Sequence, residues 1–316
     1  VVEQPVINEE AGTIVFAVNE EVESLKFTPI IEISEGATIT PASGVAQDFS
    51  NNKKVTYTVT AEDGTVKVYT AFVEGTRKVL KYSFEDWKED TKNDELLPKD
   101  LWAGSAAGAG ILGGTLLRKE TREDGTYAAK LITFEYPNEP NSLVPKITAG
   151  SIFIGKFDMM PALQGDRLSC TKFGLDAETV SLGGKPLRFK GVYKYESGSN
   201  YLDASNYEDV KPVDIKDKGQ IQAVLYKVQT GEDGKEIVLT GHDVNTSELR
   251  VAVANIIVED IKEYTPFNIE FEYLQEYDRT AKYKFAIICS SSKDGDLFKG
   301  AGGSTLIVDE FEVICE

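Results

Sequence analysis

Thr305-Leu306-Ile307-Val308-Asp309-Glu310-Phe311-Glu312-Val313 alternates apolar and polar side chains close to the end of the chain. That is the period of a half-buried β-strand, since successive side chains point to opposite faces. Regular alternation puts Ile307, Asp309, Phe311 and Val313 on one face, so a carboxylate sits in an apolar row. Buried and unpaired, it would cost on the order of several kcal/mol or take up a proton. It therefore calls for a cation, a cluster of donors or a solvated sheet edge.

The same grammar runs outward through the chain: short runs rich in Val, Ile, Thr, Tyr and Phe, broken by Gly, Asn and Asp. No segment sustains a period near 3.6. Glu62-Asp63-Gly64, Glu123-Asp124-Gly125 and Glu232-Asp233-Gly234 repeat one hairpin signal, in which Asp-Gly supplies the positive φ values of a tight turn. The expected fold class is all-β, in two units at residues 1–76 and 77–316. The first has strands expected near Thr13–Val18, Ile30–Ile33, Lys54–Thr60 and Val66–Val73, which suits a small immunoglobulin-like sandwich. The second has enough strand candidates for a larger jelly-roll sandwich. Glu74-Gly75-Thr76-Arg77 is the short link between them.

Composition narrows the partners. The 34 Lys+Arg against 52 Asp+Glu give a net charge of −18, which repels phosphate backbones and argues against nucleic acid and anionic membrane. Neutral ligands and divalent cations stay compatible with it. No run approaches ~20 apolar residues. The chain begins at Val1 rather than Met, which fits either a cloning boundary or a removed secretion signal. Cys170, Cys289 and Cys315 cannot all pair; Cys289 and Cys315 lie in neighbouring strand patterns, but free buried thiols are the favoured expectation. With no CxxC and a single histidine, His242, in a turn, no zinc site is expected.

Gly108-Ala109-Gly110-Ile111-Leu112-Gly113 is a literal GxGxxG. The dinucleotide fingerprint needs a strand before it and a helix after it, and neither flank fits, so no nucleotide is expected. A flexible or ligand-lining loop is the reading instead.

Two resemblances to known families add to this. Gly36-Ala37-Thr38-Ile39-Thr40-Pro41, Asp48-Phe49-Ser50 and the hairpin from Val59 to Val73 resemble bacterial Ig-like modules, which implies a spacer role for the first unit. In the second unit, Leu80-Lys81-Tyr82-Ser83-Phe84-Glu85-Asp86-Trp87 resembles the opening strand of carbohydrate-binding jelly-rolls, and the Thr305 strand resembles their closing one. That resemblance implies a structural Ca²⁺ held by Glu85 and Asp309, with hard oxygen ligands. Alternation places Glu85 opposite Phe84, so Asp86 is the rival inward residue, and a hydrogen-bonded carboxylate at a strand edge is the rival to a metal.

Phe84-Glu85-Asp86-Trp87, Pro186-Leu187-Arg188-Phe189-Lys190-Gly191-Val192-Tyr193-Lys194-Tyr195, Gly219-Gln220-Ile221-Gln222-Ala223-Val224-Leu225-Tyr226, Ser290-Ser291-Ser292 and Gly302-Gly303-Ser304-Thr305-Leu306 together resemble the bacterial carbohydrate-metabolism domain family PCMD. The resemblance covers nearly all of the second unit and implies a glycan context. Sugars are held by aromatic faces and by polar groups in a mostly preformed cleft. The candidates are Tyr193, Tyr195, Tyr201, Tyr207, Asp203 and Arg188, with Trp87 and Trp102 flanking an insertion and the glycine-rich segment after Trp102 forming a surface loop beside the site. Tyr193 and Tyr195 share a face with Leu187 and Phe189, which fits the core as well as a sugar platform, and packing is the favoured reading of both tryptophans. Hydrolysis would need two carboxylates about 5–10 Å apart. Glu196, Asp203, Glu208, Asp209, Asp294 and Asp296 are at hand, and nothing marks out a pair.

The expected function is a secreted or surface-anchored carbohydrate-binding protein with an oligo- or polysaccharide partner. It would be exported, attached to the membrane only through a lipid anchor lost with the signal, and would work beside other surface glycan-utilisation proteins. A glycoside hydrolase on the same scaffold and an adhesion or assembly subunit that binds protein are the alternatives.

Overall fold

A computed structural model describes residues 1–109, 112–141 and 144–316. The chain is all-β and forms two compact units, Val1–Val79 with Ile314–Glu316, and Leu80–Val313.

In the first unit, Val6–Asn8 pairs antiparallel with Thr13–Asn19, which runs parallel to Val66–Tyr82. Val55–Thr60 and Thr38–Thr40 extend the sheet on the other side. The core is Phe16, Val18, Phe49, Tyr57 and Ala71, with Phe16 and Phe49 meeting edge to face. The expected strand at Ile30–Ile33 does not form. Pro29 precedes it and cannot donate to a ladder, Ile30 is exposed, and the Ile31 amide donates to Ser43 Oγ instead. The short link expected at Glu74–Arg77 lies within a strand. Val66–Tyr82 runs through Glu74–Arg77 as one strand, and a bulge absorbs one residue where Phe16 faces Val73 and Ala17 faces Gly75.

The three Asp-Gly turns use a division of labour. Only the glycines take positive φ, at 83°, 86° and 76° for Gly64, Gly125 and Gly234. Each aspartate accepts the amide two residues on, from Thr65, Thr126 and Lys235.

The second unit is a β-sandwich of jelly-roll type. One sheet contains Leu117–Thr121, Tyr127–Ile132, Thr305–Cys315, Pro186–Glu196 and Ile261–Glu270. The other runs Leu239–Thr240, Thr171–Phe173, Ser151–Phe157, Tyr283–Ser290, Gly219–Lys227, Arg250–Val258 and Glu272–Tyr273, with Trp102–Gly104 also on Ser151–Phe157. Within the first sheet's aromatic core, Phe84, Phe189 and Phe267 each meet Phe311 edge to face. From the second sheet, Ile221 faces Cys289 and Leu225 faces Phe285 on one side, while Gln220, Gln222, Val224 and Tyr226 lie on the other.

The closing strand departs from regular alternation. Its buried apolar row is Leu306 and Val308, then Phe311, Val313 and Cys315, with Asp309 and Ile314 buried as well. Glu310 adopts φ +55°, and this bulge moves the buried row from even to odd positions. Ile307 therefore does not share a face with Phe311.

One polar knot ties the second unit together. Asp217, 2% exposed, accepts Ser292 Oγ at 2.6 Å, Ser304 Oγ at 2.7 Å and the Ala301 amide at 2.8 Å on one oxygen, and the Lys218 amide at 2.8 Å on the other. Burial raises its pKa, against the downward pull of those donors. Thr133 Oγ1 joins Ser291 and Ser292, and Tyr195 Oη donates to the Ser291 carbonyl. A Cβ at Gly300 would stand 2.4 Å from Ser292 Oγ, so glycine lets this backbone close in. Both Asp217 oxygens accept a fixed backbone N–H, so the amide nitrogen of Asp217→Asn must oppose a donor whichever way it turns. The expected loss is about 1–3 kcal/mol, read from urea denaturation as a lower midpoint at unchanged slope.

Candidate functional site

The outer face of the second sheet is apolar at one end and polar at the other. Val224, Tyr226, Phe153, Phe173 and Ile288 cluster with Leu239 and Val244. Beyond them the strand continues into Gln222 and Gln220, beside Ile288 and Ser290 on the neighbouring strand. Here the face opens as a cleft of about 200 Å³.

Its polar lining comes from several segments. Gln220 and Gln222 stand on the central strand, and Gln222 Nε2 donates to Asn245 Oδ1 at 3.3 Å. Arg167 enters from a turn, held by the Asn141 carbonyl at 3.0 Å and lying 5.1 Å from the centre of the Phe298 ring. Burial lowers the pKa of its guanidinium. Lys293 and Asp296 enter on the loop after the serine run, with Lys293 paired to Asp294 at 2.6 Å. Asp296 is exposed, and desolvation by the protein around it, together with repulsion from Asp294, raises its pKa against the pull of the Leu297 amide. Phe157, Phe173, Phe298 and Tyr136 supply aromatic walls. Tyr136 is 3% exposed, and its hydroxyl makes no hydrogen bond of sound geometry among the described residues. Such a lining offers apolar surface with amides, a cation and an anion spaced around it, the combination that grips a polyhydroxylated ring.

The sequence candidates fall in several places. Tyr195 is 2% exposed and locked to Ser291, so no ring face is free for a sugar. Tyr201 is 5% exposed and donates to Asp294 at 3.0 Å. Asp203 pairs with Lys299 at 2.7 Å, and that bond and one from Ser205 hold its carboxyl down at about 2. Because Tyr201–Asp203 pairs with Lys299–Ala301, both residues brace the loop that carries Lys293 and Asp296 rather than line the cleft. Tyr207 is exposed and close enough to Arg167 to act on its charge. Tyr193 packs near Phe267 on the first sheet, and Arg188 bonds Asn268 and Glu270 there. Trp87 is half-buried and donates to the Phe84 carbonyl. Trp102 is 6% exposed, packs on Tyr82 and Phe84, and lines a second cleft described below.

In the glycine-rich segment, Ala106–Ala109 is one helical turn, and Gly108, Ala109 and Leu112 line the cleft; Gly110 and Ile111 lie outside the described residues. His242, in its turn, bonds Asp166 at 2.7 Å, and the three cysteines are free and buried. Sequence reasoning missed Gln220, Gln222, Asn245 and Arg167 as site residues. The available signal was the pair of amides at i and i+2 in an otherwise apolar strand, which puts both on one face.

The carboxylate in the closing strand has a guanidinium for its neighbour. Asp309, 3% exposed, accepts Arg122 Nη1 at 2.5 Å and the Glu310 amide at 2.7 Å. Burial raises its pKa, while that amide and Arg122 pull it back. Glu85 instead accepts the Tyr127 amide. Among the described residues, no three ligating side chains gather to hold a metal.

The family described as "Putative carbohydrate metabolism domain" (PCMD) matches residues 53–314, and the chain belongs to it. The model described as "SGBP, N-terminal" matches residues 2–73. Among solved structures, a protein of Bacteroides thetaiotaomicron described as a "putative glycoside hydrolase" is 30% identical with a TM-score of 0.64, over 99% of this chain and 92% of its own. Another so described, from Bacteroides vulgatus, is 28% identical with a TM-score of 0.61, over 75% of this chain and 98% of its own. No curated protein matches the chain.

Removing Arg122 would leave Asp309 buried without its cation. Arg122→Ala is expected to cost about 3 kcal/mol in urea denaturation. Glu310→Ala, which removes the exposed partner of the same guanidinium, should cost under about 1 kcal/mol. Equal losses would show that Asp309 does not depend on Arg122.

Proposed function

We propose that this protein binds carbohydrate at the cell exterior, holding a saccharide in the cleft built on Gln220 and Gln222. The observation that carries this reading is the cleft's lining: side-chain amides, a guanidinium and aromatic walls, with Asp296 the one carboxylate among the described lining residues. Amides and a single acid suit hydroxyl recognition, whereas hydrolysis by general acid and base asks for two carboxylates facing one bond. The carbohydrate-metabolism family supports the ligand class. The match to the "SGBP, N-terminal" model and the Bacteroides relatives support a surface or secreted setting. The first unit then serves as a spacer.

Hydrolysis is the second reading, favoured by the description of the B. thetaiotaomicron relative and by the raised pKa of Asp296, which suits a proton donor.

Native gels cast with plant, host and microbial polysaccharides, afterwards stained for polymer, separate the two. Retardation with intact polymer is expected. Gln220→Ala, at the half-buried one of the two positions, should weaken retardation at least about tenfold, or ~1.4 kcal/mol, with little change in melting temperature. Cleared polymer that survives in Asp296→Asn gels would make the protein a hydrolase. An unretarded protein on every polysaccharide would overturn the binding reading.

A further inference from the structure

A second cleft lies beside the first, and the two share a wall. It encloses about 590 Å³ and is lined by Trp102, Leu96, Asn93, Lys88, Lys99 and Lys156, among others. Phe157 lines both clefts. So does the Ala106–Ala109 turn: Ala106 and Ala107 face the second, Gly108 and Ala109 the first. Beside Phe157 this partition is thin, because the turn is built of alanine and glycine. A Cβ at Gly108 would stand 2.9 Å from the Phe157 ring and 3.0 Å from the Met159 sulfur, so the turn rests directly on that ring.

The two clefts differ in character. The first is dominated by its apolar walls. The second has a polar rim, where Lys88 and Lys99 both reach Glu95 from exposed positions. Its floor is fixed: Asn93 Oδ1 accepts the Leu116 and Leu117 amides, and the same side chain donates to the Gly114 carbonyl. That floor is preformed, so it needs no ordering when a ligand meets it. A single sugar in the first cleft would leave the second empty.

We infer that the two clefts are consecutive subsites for one saccharide chain, which passes over Phe157 and the Ala106–Ala109 turn. The ligand class is thus an extended oligo- or polysaccharide recognised along its length, rather than a mono- or disaccharide end. This rests on the binding reading above. Affinity should then grow with chain length until both clefts are filled, because the second subsite binds an already tethered chain.

The test uses the whole protein, the polysaccharide retarded in the gels, and a ladder of its oligosaccharides, measured by calorimetry. Wild type should gain about tenfold or more in affinity from the shortest retained oligosaccharide to the longest. Ala107 is exposed and lines the second cleft, so Ala107→Arg obstructs it without disturbing the core. It should keep short-chain affinity and lose the length-dependent gain. Lys88→Ala/Lys99→Ala, at surface positions, should reduce only long-chain affinity. Length-independent affinity in wild type, or an undiminished gain in Ala107→Arg, would overturn the inference and leave the binding reading standing. Absence of binding at every length would overturn both.

Discussion

The second unit is organised around one buried carboxylate. Asp217 draws its donors from three places in the sequence: Lys218 beside it, Ser292 after the Tyr283–Ser290 strand, and Ala301 with Ser304 just before the closing strand. Each of these segments leads into the cleft. Two residues beyond Lys218 stands Gln220, directly after Ser292 comes Lys293, and three residues before Ala301 lies Phe298. A carboxylate so placed is costly to bury unless its acceptor sites are filled. Filling them fixes the three segments against one another, so the requirement to satisfy Asp217 is also what sets the geometry of the site's rim.

This arrangement explains why residues of little apparent chemistry marked the family resemblance. The serine run and the Gly302-Gly303-Ser304 segment are far apart in sequence, yet both end on Asp217 Oδ2. Small hydroxyl side chains and glycines are what the approach demands. Tyr195, by bonding the Ser291 carbonyl, belongs to the same knot.

Alternation and Asp-Gly turns made the all-β class legible, because both act within a few residues. What escaped were effects that depend on partners distant in sequence. The parity change at Glu310 is invisible to a period-two reading, since a bulge inserts a residue without altering composition. Ile30–Ile33 reads as strand by residue type, but Pro29 and Ser43 give its backbone other work. The tyrosines from 193 to 207 were conspicuous by type, yet Tyr195 and Tyr201 spend their hydroxyls on Ser291 and Asp294. Gln220 and Gln222 were legible in principle. Their spacing shows a shared face, and their company of Ile221, Ala223, Val224 and Leu225 shows that the strand is central. An amide pair on a central strand must meet either a polar neighbour or an open cleft, and here it meets both.

The electrostatics of the cleft bear on its chemistry. The whole chain carries a net charge of −18, yet the described lining has Arg167 and Lys293 against Asp296 alone. Lys293 is committed to Asp294, which Tyr201 also holds, so that pair adds little net field. For Arg167 and Asp296, which also line the cleft, desolvation is the largest influence, lowering the pKa of one and raising that of the other. Each keeps a partner in the protein, the Asn141 carbonyl for Arg167 and the Leu297 amide for Asp296, so the cleft sets one oriented donor group against one oriented acceptor group. Groups held in this way lose little freedom when they meet a hydroxyl, because their orientation is already set.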